Sequence, residues 1–355
     1  MVRALVRDEG GEFPEVRLLP LDREESPPVP VHSRTLARPT RKAVAFITVT
    51  LTSALATIGA PMDVALAIDI GGTKLAVGLV TRAGDLIDRE MHRIDHRDTA
   101  DELFDELARL VRSQLGRATE RHGAQVRVCG IGSAGPITTN AELVSPLNVP
   151  AWRDFPLRSR IADLAGVPVF GDGDAKALAL AEGWLGAAKG VDNFIAMVVS
   201  TGVGGGIVLN GELLEGATGN AGHVGHIIVE PNGRRCACGG RGCLEAEASG
   251  PAIEAITGRP PTEPTYETMQ RAGRLVGRGI ASVCNLLDLR LAVVGGSVAI
   301  GFGATFFNAA QRTLDELCGI EFAKGARIVP ARLADEGPLI GAAAVGWRGL
   351  NRSAR

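Results

Sequence analysis

An α/β fold made of two related halves facing one cleft is predicted by three observations. From Asp63 onward, apolar runs of strand length alternate with segments of helical period, the pattern of an α/β architecture. One strand–turn–strand pattern also occurs twice, as ALAIDIGGTKLAVG from Ala65 to Gly78 and as IAMVVSTGVGGGIV from Ile195 to Val208; such an echo points to two halves of common plan. Finally, glycine makes up 46 of 355 residues, about 13% against a usual ~7%. There is no G-X-Y period, so the excess reads as tight backbone turns around a ligand rather than a fibrous repeat.

The elements follow in chain order. Residues 1–62 carry no sustained period. Glu24–Pro30 is charged and Pro-rich, a composition expected to stay disordered. Arg41-Lys42 and an apolar run over 43–61 follow. That run is either part of an over-long start, with Met62 the real initiator, or a helical or disordered appendage, or a targeting segment. Its five Ser/Thr residues and the long stretch before it argue against a signal peptide. Val64–Ile68 and Leu75–Val80 read as buried strands, and Leu86–Ile94 holds a third after the Ala83-Gly84-Asp85 turn. Asp98 or Thr99 can cap a helix running to about Arg121, because Leu103, Leu107, Leu110, Val111 and Leu115 recur at helical spacing. Val126–Ile131 is the next strand. Val167–Phe170 is another, followed directly by a helix that opens near Asp174.

Composition excludes some classes. At 355 residues the chain has room for about two domains. The 38 basic and 40 acidic residues leave a net charge of −2, which argues against holding nucleic acid or an anionic membrane by bulk charge. Six cysteines in this length do not make a disulfide scaffold. Cys129, Cys284 and Cys318 sit in apolar segments and read as core residues.

Four motifs carry chemistry. In Asp69-Ile70-Gly71-Gly72-Thr73-Lys74, glycines at a hairpin turn let backbone N–H groups approach phosphate oxygens. Asp69 at the strand end can hold Mg2+ through water, and Lys74 adds positive charge. The spacing is not that of a Walker loop, and a hairpin of this kind can also be a plain turn. Ser200–Gly206 has four glycines in five positions, at 202, 204, 205 and 206, with Thr201 at the turn; it reads as a second phosphate clamp. His226, Cys236, Cys238 and Cys243 have the spacing H-x9-C-x-C-x4-C, the ligand set of a closed, structural zinc site. The fourth motif is Gly171–Lys176. Its acid Asp174 at a strand-to-helix junction is either a general base or a helix cap.

Together these motifs resemble the ROK family of sugar kinases and related repressors, within the actin-like ATPase (ribonuclease H-like) superfamily. The resemblance spans about 63–347 and includes Cys243-Leu244-Glu245 and Val293–Val298. It implies two α/β domains around a central cleft, ATP on one side and sugar on the other. The first domain is expected over 63–175, with a tail from about 335 returning to it, and the second over 176–334. By resemblance Asp174 is the base that deprotonates a sugar 6-hydroxyl. Asn148, His226 and Glu245 are sugar-side positions, and Gly295 and Gly296 form the adenosine-side turn. ATP, Mg2+ and structural Zn2+ are the expected cofactors. A homodimer in the cytoplasm, without nucleic-acid or membrane partners, is the expected setting; no helix-turn-helix pattern of the family's repressors is legible in residues 1–62.

Two departures matter. Gly173 precedes Asp174 where many family members have Asn. Gly222-His223-Val224-Gly225-His226 replaces the Gly-Glu-x-Gly-His of glucokinase-like members and is similar to the N-acetylmannosamine kinases of the family. A neutral His223 imidazole offers one donor and one acceptor, which suits an acetamido group. Gly222 and Gly225 are expected to leave room for its methyl. The expected reaction is therefore 6-phosphorylation of N-acetylmannosamine; a glucokinase of the family is the first alternative, and a catalytically weak sugar-binding protein or transcriptional repressor the second.

Overall fold

The computed structural model describes residues 61–354. The Pro-rich stretch, and the apolar run up to residue 60, lie outside them. The first hairpin is β1 (Met62–Ile70) and β2 (Lys74–Thr81), continued by β3 (Leu86–Arg93). Next comes α1 (Ala100–Glu120), started by a capping box in which Thr99 and Glu102 satisfy each other's backbone N–H. β4 (Ala124–Ser133), α2 (Leu157–Ala165) and β5 (Val169–Gly173) complete the first lobe's strands. α3 (Asp174–Trp184) leads to β6 (Phe194–Val199), β7 (Val203–Leu209) and the short β8 (Glu212–Leu213). α4 (Leu244–Ala248), α5 (Gly250–Thr257) and α6 (Tyr266–Leu287) precede β9 (Leu291–Gly295). α7 (Ser297–Leu317), β10 (Arg327–Pro330) and α8 (Gly337–Ser353) close the described chain.

The strands form two five-stranded sheets of identical plan, β3-β2-β1-β4-β5 and β10-β9-β6-β7-β8. In the first, β1–β2 and β2–β3 are antiparallel while β4 and β5 add in parallel. In the second, β6–β7 and β7–β8 are antiparallel, and β9 and β10 add in parallel. β6 thus plays the part of β1 and β9 that of β4, so the repeated sequence pattern is a repeated topology. The central strands are buried on both faces, which is why they read as continuous apolar runs rather than alternating ones.

Each sheet is covered on both faces. Leu103, Leu107 and Val111 of α1 pack with Leu66 and Ile68 on one side of the first sheet, while Leu339 and Trp347 of α8 pack with Ala65, Ala67 and Val128 on the other. In the second sheet, Val276, Ile280 and Phe306 from α6 and α7 meet Ile195 and Met197, and Ala179 of α3 lies with Ala196 and Val293 on the opposite face. Two helices therefore change lobes. α3 leaves β5 and packs on β6 and β7; α8 leaves β10 and packs on β1 and β4. They meet where a Cβ on Gly341 would stand 2.5 Å from the Ala177 carbonyl oxygen, closer than any side chain permits. Buried Glu182 of α3 fastens the second crossing by accepting the backbone N–H groups of Arg332 and Leu333, at 2.9 and 3.1 Å. Cys129, Cys284 and Cys318 are buried, as their apolar surroundings predicted. Among the described residues no helix is long and apolar enough to cross a membrane.

Candidate active site

Residues that follow β4 and end β5 meet residues that open β7 around one cavity, beside strand ends where α/β sheets place ligands; Asp69 and Lys74 line a neighbouring one. Asp69 is the penultimate residue of β1 and is 7% exposed. The turn after it is closed by the Gly71 N–H donating to the Lys74 carbonyl at 3.1 Å, with Thr73 exposed at its tip. Burial pushes the Asp69 carboxyl up to about 7; Asp174 raises it further and Lys74 opposes. A buried acid whose charge is so poorly matched by protein cations fits a site completed by a divalent cation, and its oxygens suit Mg2+.

Asp174 is the first residue of α3, and the cap position is Gly173, which supplies no side-chain cap. The Asp174 Oδ1 accepts the N–H of Ala175, the next residue, at 2.7 Å, rather than an N–H one turn into the helix. The carboxylate is open to solvent from the cleft yet walled in by protein on its other sides. That enclosure pushes it up to about 6, against the Ala175 hydrogen bond. Asp174 lines one cavity with Gly173, Gly204, Gly205, Gly222 and His223. His223 is held toward its neutral form by partial burial and by His226, with Glu245 opposing.

The glycine strand has a packing reason beside any role with phosphate. Side chains at Gly204 and Gly206 would run into Ala175 and Ala179 of α3, at 3.0 and 2.7 Å. Only Gly202, with Thr201 beside it, lies in the turn itself. Glu245 of α4 closes that turn from below, its Oε2 accepting the Val203 N–H at 2.8 Å. Across from it, Gly295 ends β9 and Gly296 opens toward α7 with φ +95, pressed against the Val199 backbone. Ser200 and Ser297 hydrogen-bond at 2.8 Å, so the two turns meet as one surface. Asn148 sits over the first turn, where a Cβ on Gly72 would stand 2.7 Å from its own.

The expectation that Gly222 and Gly225 leave room for an acetyl methyl is corrected. A Cβ on Gly222 would meet the Gly205 carbonyl oxygen at 2.3 Å, and one on Gly225 the Val203 carbonyl oxygen at 2.1 Å. Backbone already fills that space. The open position is Gly173: its φ of −63° and ψ of 145° suit any residue, and a side chain there would meet nothing within 4 Å.

The four thiol and imidazole groups converge as their spacing predicted. The ligand atoms of His226, Cys236, Cys238 and Cys243 all lie within 4.8 Å of one another. The Cys238 and Cys243 sulfurs are 3.7 Å apart, and Cys236 Sγ is 3.6 Å from His226 Nδ1. A tetrahedral zinc with ~2.3 Å bonds to sulfur separates its ligands by about 3.8 Å, so the donor set fits zinc. Cys243 leads directly into α4 and Glu245, and His226 ends the turn that carries His223. His223 and His226 rings lie parallel, 6.0 Å between centres.

Sequence reasoning missed Lys176, which is buried and salt-bridged to Asp172 and Glu215. The available signal was a lysine four residues after an acid, at the start of an alanine-rich helix.

The ROK family profile matches residues 65–347. The chain is 38% identical over 272 residues to an N-acetylmannosamine kinase of Yersinia pestis, covering 71% of this chain and 90% of that protein. It is 34% identical over 294 residues to an N-acetylmannosamine kinase of Haemophilus influenzae, covering 78% and 93%. A ROK family glucokinase from Streptomyces griseus, solved in complex with glucose and AMPPNP, superposes with a TM-score of 0.69 at 28% identity, covering 81% of this chain and all of that one. The two equivalent sheets, the paired glycine turns and the Cys3His loop are thus those of a protein that belongs to the ROK family, on the actin-like ATPase fold.

Proposed function

We propose that the chain is an ATP-dependent sugar kinase that phosphorylates the 6-hydroxyl of N-acetylmannosamine. The observation that carries this reading is Asp174, a carboxylate lifted to about 6 at the head of α3, in one cavity with His223 and the second glycine strand. A carboxylate so placed is a stronger base than one in water while still ionised at neutral pH, as abstraction of a hydroxyl proton requires. The names of the relatives from Yersinia pestis and Haemophilus influenzae support the acceptor.

In this reading the turn at Gly71, Gly72 and Thr73, with Lys74, faces the transferred phosphate. Thr201 and Gly202 hold the remaining phosphates, Gly204 and Gly205 let α3 and the 222–225 turn pack close behind them, and Gly295–Gly296 receives the adenosine end. Asp69 would hold Mg2+, which when bound neutralises phosphate charge. Asp174 takes the 6-hydroxyl proton. Asn148, His223, His226 and Glu245 orient the sugar, with His226 shared with a zinc that fixes the loop. Phosphoryl transfer needs such positioning and charge balance more than covalent chemistry. Gly173, the open position of the cavity, supplies the room the acetamido methyl needs. The expected setting is a cytoplasmic homodimer acting on small molecules, without nucleic acid or membrane partners.

The test is a coupled ADP-release assay across hexoses and N-acetylhexosamines, with mass spectrometry of the product. Higher kcat/KM for N-acetylmannosamine than for glucose, with a 6-phosphate product, is expected. Equal or better use of glucose would make the chain a glucokinase of its family.

A further inference from the structure

Lys176 stands two residues into α3, 5% exposed, and its ammonium has three donors. It donates to Glu215 Oε2 at 2.5 Å and to the Gly219 carbonyl at 3.0 Å, and is ion-paired with Asp172 Oδ1 on β5 at 3.0 Å. Asp172 belongs to the first sheet, whereas Glu215 and Gly219 belong to the loop that follows β8 of the second. Glu215 is also gripped from α8, by Arg348 at 2.7 Å and Arg352 at 3.5 Å. The loop folds back on itself through the Ala221 N–H to the Glu215 carbonyl, at 3.0 Å. It then delivers Asn220, Ala221, Gly222 and His223 to the cavity that holds Asp174. Behind the lysine lies a second cavity of about 410 Å³, lined by Asp172, Lys176, Glu215, Arg348 and Arg352.

The Lys176 ammonium is enclosed by oxygens of the protein itself. What it does is set where the wall opposite Asp174 stands. Gly216, Gly219 and Gly222 all have positive φ, and the loop lacks regular structure between β8 and the Val224–His226 turn. Its position therefore depends on its attachments more than on its own backbone. We propose that Lys176 is a positioning residue that sets acceptor affinity by anchoring the Glu215–His223 loop to the cleft floor carrying Asp174. The inference rests on the sugar-kinase reading for its kinetic consequence, but not for the anchoring itself.

The experiment uses the full chain and Lys176→Met, which keeps the stem and removes the charge. Amide hydrogen exchange without substrates reads the anchoring directly, whatever the protein phosphorylates. Exchange over 216–223 should quicken about tenfold, the scale of one charge-assisted hydrogen bond, while β6 and β7 keep their protection. In the ADP-release assay, the KM for N-acetylmannosamine should rise by about tenfold or more with the KM for ATP within about twofold. Lys176→Arg, which keeps the charge and has the rear cavity to extend into, should restore most of the loop protection. Because Lys176→Met leaves Asp172 without its cation, the same measurements on Lys176→Met with Asp172→Asn keep the test open should the single variant not fold. A lower Tm with loop exchange and acceptor KM both unchanged would overturn the proposal and leave Lys176 a stabilising ion pair. If wild-type protein phosphorylates no amino sugar, the kinase reading fails, and the exchange result still decides the anchoring.

Discussion

Asp174 and Asp69 line neighbouring cavities with opposite requirements. If Asp174 is the proposed base it must lose its proton to act, so kcat/KM should fall as pH drops through about 6. Asp174→Asn should lower kcat by about 10²–10⁴-fold, the usual worth of a general base, with nucleotide binding retained; near-normal turnover would place the base elsewhere. For Asp69 the consequence is on stability. Its carboxyl is raised to about 7 in the folded state against 3.8 in the open chain. The folded protein then binds the proton more tightly, so stability is full below about pH 4 and is lost as pH rises through about 7. Asp69→Asn should therefore raise Tm at pH 8 in buffer without added Mg2+ and leave it nearly unchanged at pH 4. A fall at pH 8 would show that the carboxylate is held by favourable contacts. At position 223, His223→Glu should shift kcat/KM toward glucose if the imidazole meets the acetamido group; an unchanged ratio of the two sugars would confine His223 to shaping the loop. The placement of Asp69 and Asp174 at strand ends beside glycines was legible in the sequence because that pattern is local. Lys176 was not, since the partners that bury it come from a different sheet and a different helix, and pairing at that distance leaves no local pattern.

Among the elements, the Cys3His loop has the most to lose from a single change. Its sulfurs hang from a short loop of turns, with Cys243 placed at the start of α4, so the binding energy of a zinc held there would also be local folding energy. Cys238→Ser should reduce zinc to well below one per chain, loosen the 226–243 segment in hydrogen exchange, and lower activity together. Full zinc with unchanged activity would show that Cys238 is not a required ligand. The ligand spacing was legible because four chemically distinctive residues fall within one short stretch. The strands of the first half and the cap of α1 were legible for a similar reason, their period and capping signals being local. The glycine strand was only half legible. Gly204 and Gly206 read as phosphate contacts, yet α3 lies against them, and a helix arriving from the other lobe cannot be seen from the strand it covers. The space assigned to Gly222 and Gly225 failed likewise: absence of a side chain predicts room only where no backbone has moved in.

Across the whole molecule, the repeated sheet plan was visible as the repeated hairpin sequence, whereas the return of the tail to the first half, and the division after 175, were expected from the family resemblance and not from any local pattern. Each half has given up its last helix to the other. The described chain is therefore an exchanged pair of the kind normally made by two separate subunits, here written into one polypeptide. Neither half is complete when excised: residues 62–173 alone would bare Ala65, Ala67 and Val128, and the remainder would carry an α8 with no sheet to cover. Heat or urea should meet one cooperative transition over the described residues rather than two, and two resolved transitions would show that the halves stand alone. The same reciprocity makes the α3–α8 crossing a clasp: each half is held by a helix that the other half supplied, so a change that loosens one end of the clasp is felt in both.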